Sequence, residues 1–196
     1  MELSKIDFAA MIQRVIRAAT LEPAVYEEVE ANANLNQEAL AVVVLVSLAN
    51  GVGLFLSGLL GGSVGAAIGG LIFGLVSGVL GYYIWAYITY WVGTNLFQGT
   101  ADVGEMLRTL GYASGPRVLG ILTFIPCLGG LAGLIGGIWS LVTGVVAVRQ
   151  ALDFDTGKAI LTVIIGWIIV LVITLILGTF LGIGAIGIGV LSGGLR

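Results

Sequence analysis

Polar and apolar positions are strongly segregated along this chain. Residues 39–101, 118–148 and 159–195 contain no Asp, Glu, Lys or Arg, whereas the 19 charges crowd into 1–38, 102–117, 149–158 and the last position. A helix crossing the hydrocarbon core needs about 20 apolar residues, so the uncharged stretches have room for several crossings. The pattern predicts spans over about 39–57, 66–93, 107–125, 128–148 and 159–178. Residues 61–63 form an uncharged turn, Pro126-Cys127-Leu128-Gly129-Gly130 a hairpin, and 149–158 a polar loop. The expected fold is therefore all-α: a polytopic bundle of five membrane-spanning helices over 39–196, preceded by a cytoplasmic or interfacial segment over 1–38. Residues 179–195 are only marginally long enough for a sixth crossing.

Within the front segment, Phe8, Met11, Ile12, Val15, Ile16 and Ala19 repeat at helical spacing, with Gln13, Arg14 and Arg17 on the other side. This predicts an amphipathic helix over 4–20, with Ser4 and Asp7 as a variant capping box. It lies either on the lipid surface, with Arg14 and Arg17 meeting lipid phosphates, or against the protein's own end. Pro23 starts a second helix through Tyr26 and Val29. Glu22, Glu27, Glu28 and Glu30 read as a solvated face or a docking surface for a partner.

Composition strengthens the membrane reading. The chain of 196 residues is 58% hydrophobic and 10% charged, with a mean hydropathy of +1.11; a soluble domain needs roughly 25% charged residues. An apolar stretch that begins only at Ala39, behind ten charges, does not read as a cleavable secretory signal. Lys5, Arg14, Arg17, Arg108, Arg149 and Lys158 all fall on one side of a five-span scheme and the two opposite turns carry none, so the amino end is expected to be cytoplasmic and the carboxyl end, with Arg196, opposite. The ring cluster Tyr82, Tyr83, Trp85, Tyr87, Tyr90 and Trp91 marks where the long second crossing leaves the bilayer.

Chemistry is sparse. There is no histidine, and the single cysteine, Cys127, stands in an apolar turn without a base nearby in sequence. Asp153 and Asp155 are loop acids with no further spaced ligands, so neither a metal nor another cofactor is expected. No basic patch suggests nucleic acid. Glycine is the informative residue: Gly61, Gly65 and Gly69, then Gly70, Gly74 and Gly78, then Gly129, Gly133 and Gly137 form ridges at four-residue spacing. Such ridges let helices approach closely in lipid, within one bundle or between copies. Arg117, directly after Pro116, is the one ionisable side chain inside a predicted crossing; it either snorkels, pairs with Glu105 or a freed carbonyl, or lines a path.

Leu110-Gly111-Tyr112, with Pro116 four positions beyond the tyrosine, then a glycine-rich crossing with Trp139 and a last apolar helix, resembles the Yip-one domain family, the Ypt/Rab-interacting membrane proteins. The front segment, with Pro23 ahead of Tyr26, resembles the family's prokaryotic branch. The resemblance implies five crossings, a cytoplasmic amino end, membership of membrane complexes, and family-motif roles for Gly111, Tyr112, Pro116, Arg117 and Trp139. Eukaryotic members act in vesicle traffic and bind prenylated small GTPases. This chain has a short front segment and lacks their acidic-Leu-Tyr-Gly-Pro-aromatic signature, so GTPase binding does not carry over.

The sequence thus points to a non-enzymatic membrane scaffold or bilayer-organising factor, whose partners are the lipid bilayer and itself or other membrane proteins. The alternative is a small permease, channel or lipid translocator.

Overall fold

The computed structural model describes residues 6–193, with side chains described up to 176 and at 179. Every regular element among them is helical. Helix α1 spans Phe8–Ala19, α2 Pro23–Ala31, α3 Asn36–Leu60, α4 Val64–Phe97, α5 Val103–Ala113, α6 Leu128–Ala151 and α7 Thr156–Gly193, with a 3-10 helix, Gly115–Phe124, between α5 and α6. Four helical stretches are long and apolar enough to cross a bilayer: Ala33–Leu60, Val64–Phe97, Leu128–Ala151 and Thr156–Ile176.

Capping residues explain where the short helices start. Asp7 is the N-cap of α1, accepting from the amides of Ala9 and Ala10 at 3.0 and 3.1 Å. It therefore replaces the expected box in which Asp7 answered Ser4, a residue outside the described ones. Pro23 occupies the first turn of α2, where its missing N–H costs nothing. Asp102 and Glu105 form a full capping box at α5, each side chain accepting from the other's backbone at 2.8 and 2.6 Å. Gly62, at φ +76°, allows the tight turn between α3 and α4.

The expected third crossing, 107–125, is not one α-helix. α5 ends at Ala113, and the chain continues as a 3-10 helix with Pro116 in its first turn. Proline blocks the α pattern because it lacks an N–H and clashes with the preceding turn. At about 2.0 Å per residue a 3-10 segment covers more length than an α-helix at about 1.5 Å. Together the two pieces run alongside α3 in the same direction. Gly111 meets Ala39, Asn50 donates to the Arg117 carbonyl at 3.1 Å, and Gly53 meets the carbonyls of Gly120 and Ile121.

α4 returns antiparallel to α3, and Gly70, Gly74 and Gly78 face Leu54, Gly51 and Ser47. A Cβ on Gly74 would stand 2.5 Å from the Gly51 Cα, so only glycine permits this approach. α6 returns antiparallel to the 3-10 helix, with Gly136 on the Pro116 carbonyl and Gly129 against Thr123. α7 runs antiparallel to α4, Gly166 packing against Thr89 and Trp85. It continues unbroken to Gly193, so no turn separates 159–178 from a sixth segment. The buried core clusters at the charged end, around Tyr26, Val29, Met106, Tyr112, Val148 and Leu152.

Candidate functional site

The charged end holds one continuous polar network built from four helices. Arg17 grips Glu22 with two nitrogens, at 2.7 and 3.0 Å, and Glu28 with the third, at 2.7 Å. Arg14 donates to the other oxygen of Glu28 at 2.7 Å and to Glu38 at 2.9 Å. The same Glu38 oxygen accepts from the Tyr112 hydroxyl at 2.5 Å. Glu38 and Tyr112 are buried, while Glu22 and Glu28 lie toward solvent. The ion pairs hold the carboxyls of Glu22 and Glu28 below their ordinary range and raise the guanidinium of Arg14, with the hydrogen bonds to Arg17 and Arg14 as the largest causes.

A second anchor lies beside it. Arg108 is only 5% exposed and donates to Val29 O at 2.8 Å, to Glu30 O, and to Asn36 Oδ1 at 2.9 Å. These carbonyls belong to the last turn of α2, whose unpaired C=O groups and dipole favour a cation there. The Tyr82 hydroxyl donates to Leu107 O at 2.7 Å, tying α4 to α5. Glu30 stands apart: one carboxyl oxygen is buried without a partner, and burial, then Glu27, Glu105 and Asp153, push its pKa up to about 7.

The expected interfacial set divides in two. Met11 is buried, Val15 packs on Gly115, and Arg14 and Arg17 are taken by carboxylates rather than left for lipid phosphates. The pairing is favoured because both arginines reach Glu28 of α2 at 2.7 Å, and charge-assisted hydrogen bonds of that length are strong. Phe8, Ile12 and Ile16 remain as an outward stripe, 54–57% exposed. α1 lies along the flank of the bundle, where the Trp139 indole donates to Ala19 O at 2.8 Å.

The glycine ridges also divide. Gly70, Gly74 and Gly78 pack on α3 and Gly129 on the hairpin, but a Cβ at Gly65, Gly69, Gly133 or Gly137 would meet nothing within 4 Å, and at Gly61 only its own helix. The α3 and α6 glycines that complete the packing, Gly51, Gly53, Gly58 and Gly136, fall outside any four-residue ridge of the expected set.

Of the motif residues, Gly111 sits against Ala39, Tyr112 closes the network, Pro116 is buried at the start of the 3-10 helix, and Trp139 holds α1. Arg117 pairs with neither Glu105, which caps α5, nor a carbonyl; its side chain is exposed and lines a cavity within the bundle. Among the described residues no group of three His, Cys, Asp or Glu is placed to hold a metal ion.

A bundle of long apolar helices with its ion network at one end is an integral membrane protein that crosses the bilayer several times. The family model for the Yip1 domain matches residues 20–191, and the chain belongs to that family. Neither a curated protein nor a solved structure matches it.

Proposed function

We propose that this protein is a non-enzymatic membrane scaffold that organises the bilayer and associates with itself or with other membrane proteins through helix contacts. The observation that carries this reading is the division of the glycines. One α4 ridge is consumed inside the bundle, while Gly65, Gly69 and Gly133 present backbone to open space at small-residue spacing. In this reading the α5–3-10 pair makes a fifth crossing. Lying parallel to α3 from Ala39 to Gly53, it covers about 20 Å at helical rise. Five crossings put the two ends on opposite sides, and the lysines and arginines on the amino-end side make that side cytoplasmic; for a prokaryotic chain the membrane is the cell membrane. The stripe Phe8, Ile12 and Ile16 then rests in lipid beside the bundle.

In-membrane crosslinking tests the association. In a Cys127→Ser background, a cysteine at Ile72, exposed on the same face of α4 as Gly65 and Gly69, should capture a second copy or a membrane protein partner, and adding Gly65→Leu with Gly69→Leu should abolish capture. Full retention in that double variant sinks the reading.

The cavity at Arg117 favours a second reading, a small permease, channel or lipid translocator. Flux or lipid scrambling by purified protein in liposomes, lost in Arg117→Leu, would establish it.

A further inference from the structure

A cavity of about 800 Å³ opens between α3, α4, the α5–3-10 pair, α6 and α7. Its walls are mostly apolar, with Trp85 and Trp167 among them, and its polar lining includes Ser47, Asn50, Ser77, Arg117 and Ser140. Among the described residues no Asp or Glu lines it. The depth follows from the Asn50–Arg117 bond. Asn50 lies about 16 Å along α3 from Ala39 and about 10 Å short of Ser57, so the Arg117 backbone is near the middle of the predicted crossing. The guanidinium has five N–H donors and no hydrogen bond or ion pair to any described residue. A cation at that depth is costly in hydrocarbon and persists where water or an anion solvates it.

We propose that this cavity binds the headgroup of an anionic phospholipid, with Arg117 donating to the phosphate oxygens. Three features select that ligand. The donor excess calls for an acceptor-only anion, and a planar guanidinium fork matches phosphate geometry. The uncompensated charge favours a lipid with a net negative charge over a zwitterion. The apolar walls continue the acyl environment that such a lipid brings with it. The inference needs only that the bundle is membrane-embedded, and holds whether the protein scaffolds or transports. Gly81, Gly137 and Gly144 border the cavity, and a Cβ on any of them would meet nothing within 4 Å, so the space can be filled without a clash.

The test is native mass spectrometry of the full chain in detergent, titrated with dioctanoyl phosphatidylglycerol or dioctanoyl phosphatidylcholine. The expected result is one phosphatidylglycerol bound with about ten-fold preference over phosphatidylcholine, a preference that Arg117→Gln removes. Gly144→Leu, which fills the space and leaves Arg117 in place, should weaken phosphatidylglycerol binding about ten-fold without lowering the melting temperature. Arg149→Gln, which removes a cation outside the cavity, should leave binding unchanged. Equal binding of the two lipids overturns the proposal, as does a preference that survives Arg117→Gln, phosphatidylglycerol binding that Gly144→Leu leaves undiminished, or binding lost with Arg149→Gln. Scrambling activity plays no part in the readout, so failure here is separable from failure of either functional reading.

Discussion

The Tyr112 hydroxyl donates to Glu38 at 2.5 Å, and through the same carboxylate oxygen α5 is joined to Arg14 of α1. The bond closes a chain of contacts from Glu22 through Arg17, Glu28, Arg14 and Glu38 to Tyr112, so that α1, α2, α3 and α5 share one polar core. A hydrogen bond to a charged group contributes about 1.5–3 kcal/mol. Tyr112→Phe should therefore lower stability by about that amount while keeping the ring packed. Thermal unfolding in detergent measures the loss. Hydrogen exchange should rise in α1 more than in α6, because Glu38, the buried partner of Arg14, loses the donor that fixes it.

Gly74 and Gly69 are a matched pair on one helix. Gly74→Leu would drive a side chain into Gly51, costing at least about 1–3 kcal/mol by overpacking. Gly69→Leu meets nothing within 4 Å and gains roughly 0.5–1 kcal/mol of helix propensity. The two variants should move the melting temperature in opposite directions. A similar loss in both would mean that the α4 ridges do not divide as described.

Much of this architecture is legible in the pattern of residues, for identifiable reasons. Clustered charge and uncharged stretches of crossing length decide the class and most helix ends, because lipid admits few ions and leaves the backbone no partner but itself. Pro23 places one helix start from local chemistry alone, whereas the Asp102–Glu105 box, which starts α5 at Val103 and not at 107, goes unread because the uncharged stretch draws the boundary further on. Four-residue spacing puts Gly65 and Gly69 on one face, but not against anything; which ridge is filled depends on the register of α3, a tertiary property. The same holds for Arg14 and Arg17, since nothing local says whether a surface arginine meets lipid or a glutamate 11 or 14 residues away. Arg108 and Asn50 gave a usable signal that helical periodicity overlooks: each is a polar group within or beside an apolar segment that has to bond to something.

Arg108 makes the strongest single case for such a group. It satisfies carbonyls at the end of α2 and fixes α2 to α5. Arg108→Met would keep most of the volume and leave those acceptors buried. The expected cost is about 3 kcal/mol or more, since breaking a buried charged contact usually exceeds the value of an exposed pair. Arg108→Lys should recover only part of it, because an ammonium cannot span Val29, Glu30 and Asn36 together. Unfolding midpoints of the three proteins, in the same detergent, decide the order.

Glu30 predicts a pH dependence of opposite sign to that of the ion pairs. Its pKa is about 7 in the folded protein and about 4.5 in the unfolded chain, so between those values the folded state binds more protons. Stability should fall as pH rises from about 4.5 to 7 and then level off. The carboxyls of Glu22 and Glu28, held below their ordinary range, act the other way, and their contribution is lost on acidification through the folded pKa values. Glu30→Gln should flatten the decline between 4.5 and 7 and leave the acid limb in place. An unchanged slope in that window would show that the carboxyl is solvated.

The last prediction concerns which side of α1 meets lipid. Ile12 is 55% exposed and Met11 3%, although they are neighbours in sequence and both belong to the apolar side. A helix turns about 100° per residue, so Met11 faces the buried core and Ile12 faces away. In a Cys127→Ser background, a nitroxide attached at Ile12→Cys in liposomes should be relaxed by oxygen, which concentrates in the acyl region, and little by a water-soluble nickel chelate. A label at Gln13→Cys, on the polar side, should show the reverse. If the nickel chelate relaxes the residue 12 label as strongly as that at residue 13, the stripe of Phe8, Ile12 and Ile16 faces water. In that case the ion pairs to Glu22, Glu28 and Glu38, not lipid, hold α1 in place.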